Sequence, residues 1–267
     1  LKPFEFLEFG AIAIPLIIIC IAAVLIVIKL LIKKLKIPTR MAYLISIGST
    51  VCGTTAIMAT APVIGAKKNE VSYAIANITL FGILSMLIYP YFANYYFDAE
   101  PMFVGLFLGT SIHETSQVAA AGLIYDQQFN SPETLNVATV TKLIRNTFLV
   151  IMIPLFAFLY NRNNVVKKDY SILAIFPYFV LGFVAMIIFR NLGDLFFLTT
   201  YNELWLDTVK TIKSSSKVFL TMAMAAIGLS TNLKDLRSMG YKPFIVGFIG
   251  MTTVGLVSIL CIEFYIN

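Results

Sequence analysis

One histidine, one tryptophan and three cysteines occur among 267 residues, and only 13% of the side chains are charged. Each scarcity excludes something. A zinc site needs three or four ligands, drawn mainly from His, Cys, Asp and Glu. The stretch His113–Gln117 (HETSQ) resembles the start of a metalloprotease HExxH motif, but its fifth position is Gln117 and there is no second histidine. An intramembrane metalloenzyme is therefore not expected. Cys20, Cys52 and Cys261 are scattered, mostly within apolar runs, and form neither a disulfide framework nor a metal pattern. We expect no metal, no cofactor and no enzymatic activity. Long polar loops are also missing, so 1–267 reads as a single transmembrane domain without a soluble companion.

What the chain has is apolar sequence. It is 59% hydrophobic, with a mean hydropathy of +0.86. Runs of about 20 apolar residues recur along its length, the requirement for a membrane-spanning helix. The alternating polarity of a β-barrel is absent. The expectation is an all-α polytopic membrane protein. Its net charge of +6 sits mostly in loops, which fits basic cytoplasmic loops better than a nucleic-acid partner. The first residue is Leu1 rather than Met, so a missing N-terminal portion is expected; the first apolar run is too long for a cleavable signal peptide.

Phe9–Ile32 is an expected span, and Lys33, Lys34, Lys36 and Arg40 after it mark a cytoplasmic end. Met41–Ala66 is apolar but interrupted by Ser49, Thr50, Cys52, Gly53, Thr54 and Thr55, with Lys67 and Lys68 beyond. Basic residues on both flanks favour a re-entrant hairpin; a crossing, discontinuous helix stays open. Val71–Phe92 leads outward to an aromatic belt and to Asp98 and Glu100. The stretch Gly105–Gly122 then enters from that acidic side and is followed by Asp126 and the polar loop Gln127–Glu133. Thr134–Tyr160 returns towards Arg162, Lys167 and Lys168. Ser171–Ile188 goes out, Arg190–Asp207 reads as an outer loop, and Thr208–Leu229 goes in with a polar first half. Thr231–Lys242 reads as cytoplasmic, and Pro243–Tyr265 ends outside. The expected total is six full spans and two broken segments entering from opposite sides.

Gly53–Thr54–Thr55 and Gly109–Thr110–Ser111 occupy equivalent places in the two broken segments on this reading. Glycine would break each helix and a hydroxyl residue would cap the next half. Two helix N-termini, each with about half a positive charge, would then meet near mid-membrane. Inverted repeats with such discontinuous helices are a secondary-transporter architecture; plain packing kinks are the alternative. Ser111–Glu114 reads as a capping box, so a helix is expected to start there.

His113 and Glu114 are ionisable groups in an otherwise apolar segment, which makes them functional candidates by default. Either could carry a coupling proton; a helix cap and a hydrogen-bonded interior histidine are the plainer readings. Gln117 lies one turn on and could donate to substrate. Gly105–Gly109 is a GxxxG pair, read as close helix packing. Thr139, Lys142, Arg145 and Asn146 share one helical face. Arg145 lies about 16 Å into its helix, near mid-membrane. It is read as the lining of an anion path, because guanidinium binds oxyanions bidentately, or alternatively as a partner for Glu114. The candidate substrate-binding residues are Cys52, Gly53, Thr54, Thr55, Gly109, Thr110, Ser111, Gln117, Lys142 and Arg145; His113 and Glu114 are the proton-coupling candidates.

Four stretches carry a family resemblance: CGTTAIMATAPVI (Cys52–Ile64), IHETSQVAAAG (Ile112–Gly122), KLIR (Lys142–Arg145) and AMAAIGLSTNL (Ala223–Leu233). Together, in this order, they resemble the YeiH/TauZ family of predicted sulfate exporters, which is similar in organisation to the bile-acid-symporter and sodium/proton-antiporter class. The resemblance implies a secondary transporter of sulfate, sulfite or an organosulfonate in a bacterial cytoplasmic (inner) membrane, coupled to H+ and exporting. Sodium-coupled uptake of an organic anion is the alternative, with Na+ held near Thr54–Thr55 and Thr110–Ser111. A passive channel is a third reading. The expected partners are a small anionic substrate, the lipid bilayer and a second copy in a homodimer.

Overall fold

The computed structural model describes residues 3–163, 179–197, 202–230 and 240–266. Among these residues the secondary structure is helical, with no strand. The helices are α1 Pro3–Leu35, α2 Thr39–Thr50, α3 Gly53–Thr60, α4 Lys68–Tyr96, α5 Pro101–Ser111 and α6 Thr115–Phe129. Then come α7 Pro132–Thr147, α8 Leu149–Asn163, α9 Phe179–Phe197, α10 Asn202–Ser230 and α11 Lys242–Ile266. Four stretches are long and apolar enough to cross a membrane: Gly10–Leu35, Lys68–Tyr96, Pro132–Tyr160 and Lys242–Phe264. Each buries one side and leaves large apolar side chains such as Ile26, Leu87, Ile151 and Leu260 exposed on the other, as helices bordering lipid do.

Two helical hairpins sit among these spans. In the first, α2 and α3 fold back on one another. A Cβ on Gly48 would lie 2.8 Å from Ile57 Cδ1, although nine residues of continuous helix would separate those positions by about 13 Å. In the second, α7 reports the direction of both arms. Gly105 and Gly109 of α5 abut Val137 and Thr141, so α5 runs parallel to α7. Gly122 of α6 abuts Leu135, and Thr115 meets Asn146, so α6 runs antiparallel. The GxxxG pair is thus a packing device, as the sequence suggested. The first hairpin opens towards Thr39 and Lys68 and the second towards Pro101 and Pro132. Since α4 runs from one opening to the other, the hairpins enter the bundle from opposite ends.

α11 packs parallel to α4. Asn77 Nδ2 donates to the Pro243 carbonyl (2.7 Å), Tyr89 OH to that of Met251 (3.3 Å), and Phe81 packs on Phe244 and Phe248. Arg40 Nε donates to Tyr160 OH (3.2 Å), which brings the end of α8 to the opening of the first hairpin.

One expectation fails here. Arg190–Asp207 is not a loop: α9 continues to Phe197 and α10 starts at Asn202. The polar residues that suggested a loop satisfy each other on helices. Arg190 Nε lies 3.2 Å from Asp194 Oδ2 one turn away, and Trp205 Nε1 donates to Asp194 Oδ1 (2.7 Å). The Trp205 ring packs against Gly193, where a Cβ would overlap it. The expected span Thr208–Leu229 lies within α10, which is helical but not among the four stretches apolar enough to cross. The start of the expected span Ser171–Ile188, the residues Lys167 and Lys168, and most of the basic segment Thr231–Lys242 lie outside the described residues.

Candidate functional site

The two hairpin tips meet in the middle of the bundle. α2 ends at Thr50; Val51 and Cys52 leave helical geometry, and α3 begins at Gly53 with φ +37°. α5 ends at Ser111; Ile112 and Glu114 are extended, with a bend at His113, before α6 starts at Thr115. A helix that stops inside the protein leaves the carbonyls of its last turn without intrahelical partners. Here α7 supplies those partners. Lys142 Nζ donates to the carbonyls of Val51 (2.9 Å), Ile112 (2.9 Å) and His113 (2.5 Å). Arg145 donates through Nε to Thr50 O (2.9 Å), through Nη2 to Ser49 O (2.9 Å), and through Nη1 to Thr110 O (2.6 Å) and Ile112 O (3.4 Å). Both cations are buried, Lys142 at 0% and Arg145 at 1% exposure. Positive charge at helix C-termini opposes the macrodipole, so the two broken ends and the two cations stabilise one another.

The N-termini of α3 and α6 come together on the other side of the tips. Glu114, the residue preceding α6, reaches across so that its Oε1 accepts the Thr54 N–H at 3.1 Å, in the first turn of α3. Cys52 Sγ lies 3.8 Å from Thr115 Oγ1, which also accepts from Asn146 Nδ2 at 3.0 Å. Among the described residues the centre thus holds two cations and one carboxylate. Glu114 has no cation within ion-pair distance; Arg190–Asp194 is the one ion pair among the described residues. The pairing of Arg145 with Glu114 considered from the sequence is not formed.

Several buried polar atoms at this level have no hydrogen-bond partner among the described residues: Ser49 Oγ, Ser111 Oγ, Gln117 Oε1, Asn146 Oδ1 and both ring nitrogens of His113. Gln117 is fixed nonetheless. Its Nε2 donates to the Thr79 carbonyl (3.2 Å), and its amide fills the space where a Cβ on Gly82 would be.

Three sequence expectations need correction. Ser111–Glu114 is not a capping box: Ser111 closes α5, Glu114 precedes α6, and neither side chain caps its own helix. The two glycine–hydroxyl triplets are not equivalent. Gly53 follows its break, whereas Gly109 lies inside α5, two residues before the end of that helix. Gly109 is glycine because α7 comes close: a Cβ would lie 2.5 Å from Thr141 Cβ and 2.6 Å from the Ala138 carbonyl. Thr110 does not cap a following half-helix either. Its hydroxyl bonds the carbonyls of Leu106 (2.7 Å) and Phe107 (3.2 Å) and meets Ser258 Oγ (2.6 Å). Of the remaining candidates, Cys52, Gly53, Thr54, His113, Glu114, Lys142 and Arg145 gather at the tips, while Thr55 is exposed. The sequence did not single out Thr115, though a hydroxyl directly after the HE pair was the available signal. It placed Asn146 on the right face without giving it a role.

A helical bundle with two opposed hairpins and charge buried where they meet defines a multi-pass membrane protein. Within that class, the chain belongs to the conserved hypothetical protein 698 family, whose family model matches residues 1–247. It is 36% identical over 257 residues to a UPF0324 membrane protein of Fusobacterium nucleatum, covering 94% of this chain and 74% of that one. A UPF0324 membrane protein of Streptococcus agalactiae is 37% identical over 245 residues, covering 91% and 70% of the two chains. One from Streptococcus pneumoniae is 34% identical over 257 residues, covering 94% and 74%. No solved structure matches the chain.

Proposed function

We propose that this protein is a secondary active transporter for a small anion in a bacterial inner membrane, with sulfate, sulfite or an organosulfonate as substrate and a proton as coupling ion. The observation that carries this reading is the charge at the hairpin junction: among the described residues, Lys142 and Arg145 against Glu114 alone, in an interior where unbalanced charge is expensive. The N-termini of α3 and α6 add further positive potential at Thr54 and Thr115. Lys142 and Arg145 then act by field rather than by contact, since their donors engage backbone carbonyls. The anion would be held by Thr54, Thr115 and neighbouring backbone N–H groups. Opposed hairpins suit alternating access, because each blocks one route to a shared centre.

Sodium coupling finds less support. The Thr110 carbonyl, a candidate sodium ligand, already accepts from Arg145. Tracer flux into proteoliposomes tests the reading, with sulfate, sulfite, taurine, a dicarboxylate and chloride offered under separate proton and sodium gradients. A sulfur-oxyanion flux that follows the proton gradient is expected. A flux of carboxylates only, driven by sodium, would move the protein to the symporter class. Flux indifferent to both gradients would make it a channel.

A further inference from the structure

The carboxylate at the junction stands where an incoming anion would have to bind. Glu114 Oε1 accepts from the Thr54 N–H at 3.1 Å, a donor in the first turn of α3. The backbone is shaped to admit this side chain. Gly53 takes φ +37°, and a Cβ there would lie 2.5 Å from Glu114 Cγ, 3.0 Å from Oε1 and 3.3 Å from Cδ. Glu114 is 3% exposed, and no cation among the described residues pairs with it.

A second feature of the same junction awaits a ligand. Asn146 is 7% exposed, and its Nδ2 reaches Thr115 Oγ1, at the first residue of α6, while its Oδ1 has no partner among the described residues. Exchanging the two ends of an amide is permitted by geometry. Turned over, Asn146 would accept from the Thr115 hydroxyl and offer N–H groups to whatever occupies the space between the two N-termini.

We propose that Glu114 is a tethered anion: it occupies the substrate site in the resting state, and a transported oxyanion takes its place at Thr54 and Asn146 when Glu114 withdraws as the neutral acid. This rests on the anion-transport reading above. Two negative charges cannot share one helix N-terminus in a dry interior. One anion bound therefore means one proton taken up, from the same aqueous side, to convert the carboxylate into a carboxylic acid. The ionisable groups nearest this event are Lys142 and Arg145 on α7, His113 in the same tip and Cys52 in the opposite one. On α4, the Tyr73 and Tyr89 hydroxyls are bonded to the carbonyls of Gly240 and Met251. On α8, Tyr160 accepts from Arg40. On α10, beside α6, the described side chains Glu203, Asp207 and Lys210 are exposed. The linkage makes proton and anion move together. An inward proton gradient drives uptake, and export of the kind expected from the family resemblance runs down the gradient of the anion itself.

The test is sulfate, sulfite and taurine binding to the purified protein in nanodiscs, by titration calorimetry at several pH values and in buffers of different ionisation heat. We expect affinity to fall about tenfold per pH unit wherever binding takes up one proton, with about one proton taken up per anion. Glu114→Gln keeps an acceptor for Thr54 N–H, mimics the neutral acid, and should bind anion with no dependence on pH. The proton count comes from the unaltered protein and needs no variant to fold. Anion binding without proton uptake, or a Glu114→Gln protein that retains the pH slope, overturns this inference and leaves the transport reading standing. No binding of any oxyanion by either protein at any pH overturns both.

Discussion

Lys142 and Arg145, three residues apart on α7, each bind carbonyls from both hairpin tips. Lys142 links Val51 to Ile112 and His113; Arg145 links Ser49 and Thr50 to Thr110 and Ile112. Two segments about 60 residues apart in sequence, each with an interrupted backbone, are thereby held in register by two side chains.

A stability prediction follows that differs from the one the sequence suggests. As the lining of an anion path, Arg145 could be replaced by Ala with loss of binding and little loss of fold. In the structure, Arg145→Ala leaves buried carbonyls of Ser49, Thr50 and Thr110 without donors. At roughly 1–3 kcal/mol for each unsatisfied group, the variant should lose several kcal/mol or fail to accumulate. Arg145→Lys keeps the charge but lacks the planar fork, so it should fall between wild type and Ala. Thermal unfolding in a mild detergent measures both. An Ala variant as stable as wild type would return Arg145 to the role of a substrate contact.

Gly53 and Glu114 should behave as a coupled pair. Gly53→Ala introduces a residue at φ +37°, which by itself costs roughly 1–2 kcal/mol. It also drives a methyl into the Glu114 side chain, which supplies all three of the nearest atoms. Glu114→Ala removes those atoms. The double variant should therefore be less destabilised than the sum of the single variants, with a coupling energy of about 0.5–3 kcal/mol. Strict additivity in a double-mutant cycle would mean that Glu114 is not held against α3.

Glycines in helices give a contrast within one molecule. At Gly109 an added Cβ meets the Ala138 backbone carbonyl, which cannot rotate away as a side-chain end could. Gly109→Ala should force α5 from α7 and cost about 1–3 kcal/mol. At Gly182, in α9, nothing among the described residues lies within 4 Å of the added Cβ, and Gly182→Ala should stabilise by a few tenths to about 1 kcal/mol through helix propensity. Unfolding midpoints of the two variants should move in opposite directions. A fall at Gly182 would reveal a close neighbour at that face of α9.

How legible each feature was depended on whether side chains or backbone carried it. The spans were legible because membrane crossing depends on side-chain apolarity: Phe9–Ile32 and Pro243–Tyr265 lie within α1 and α11. The break in Met41–Ala66 was legible because hydroxyls and glycine interrupt an apolar run, and it falls at Val51–Cys52, inside the polar stretch. Opposed hairpins were legible as one option, from the charges flanking each broken segment. The role of Lys142 and Arg145 was not legible, because their partners are carbonyls, and every residue has one. The triplet beginning at Gly109 misled for a related reason. Glycine marks either a break or a close approach, and only the position of α7 shows which. Ser111–Glu114 fits a capping pattern in spacing, but the chain leaves helical geometry between those residues, so the two side chains serve different elements.

His113 is fully buried, and neither ring nitrogen is hydrogen-bonded among the described residues. Such a group costs the fold about 1–3 kcal/mol relative to a partnered or apolar one. Its retention among closely packed residues fits a functional position that lowers stability. His113→Leu fills a comparable volume without polar atoms and should raise stability by about 1–2 kcal/mol, seen as a higher unfolding midpoint. A lower midpoint would show that the imidazole is bonded in the membrane, to water or to a bound ion. The same variant separates the two proton carriers that the sequence left open. With Glu114 as the carrier, sulfate affinity in His113→Leu should keep its fall of about tenfold per pH unit wherever binding takes up one proton. If that slope disappears while Glu114→Gln keeps it, the coupling proton resides on His113.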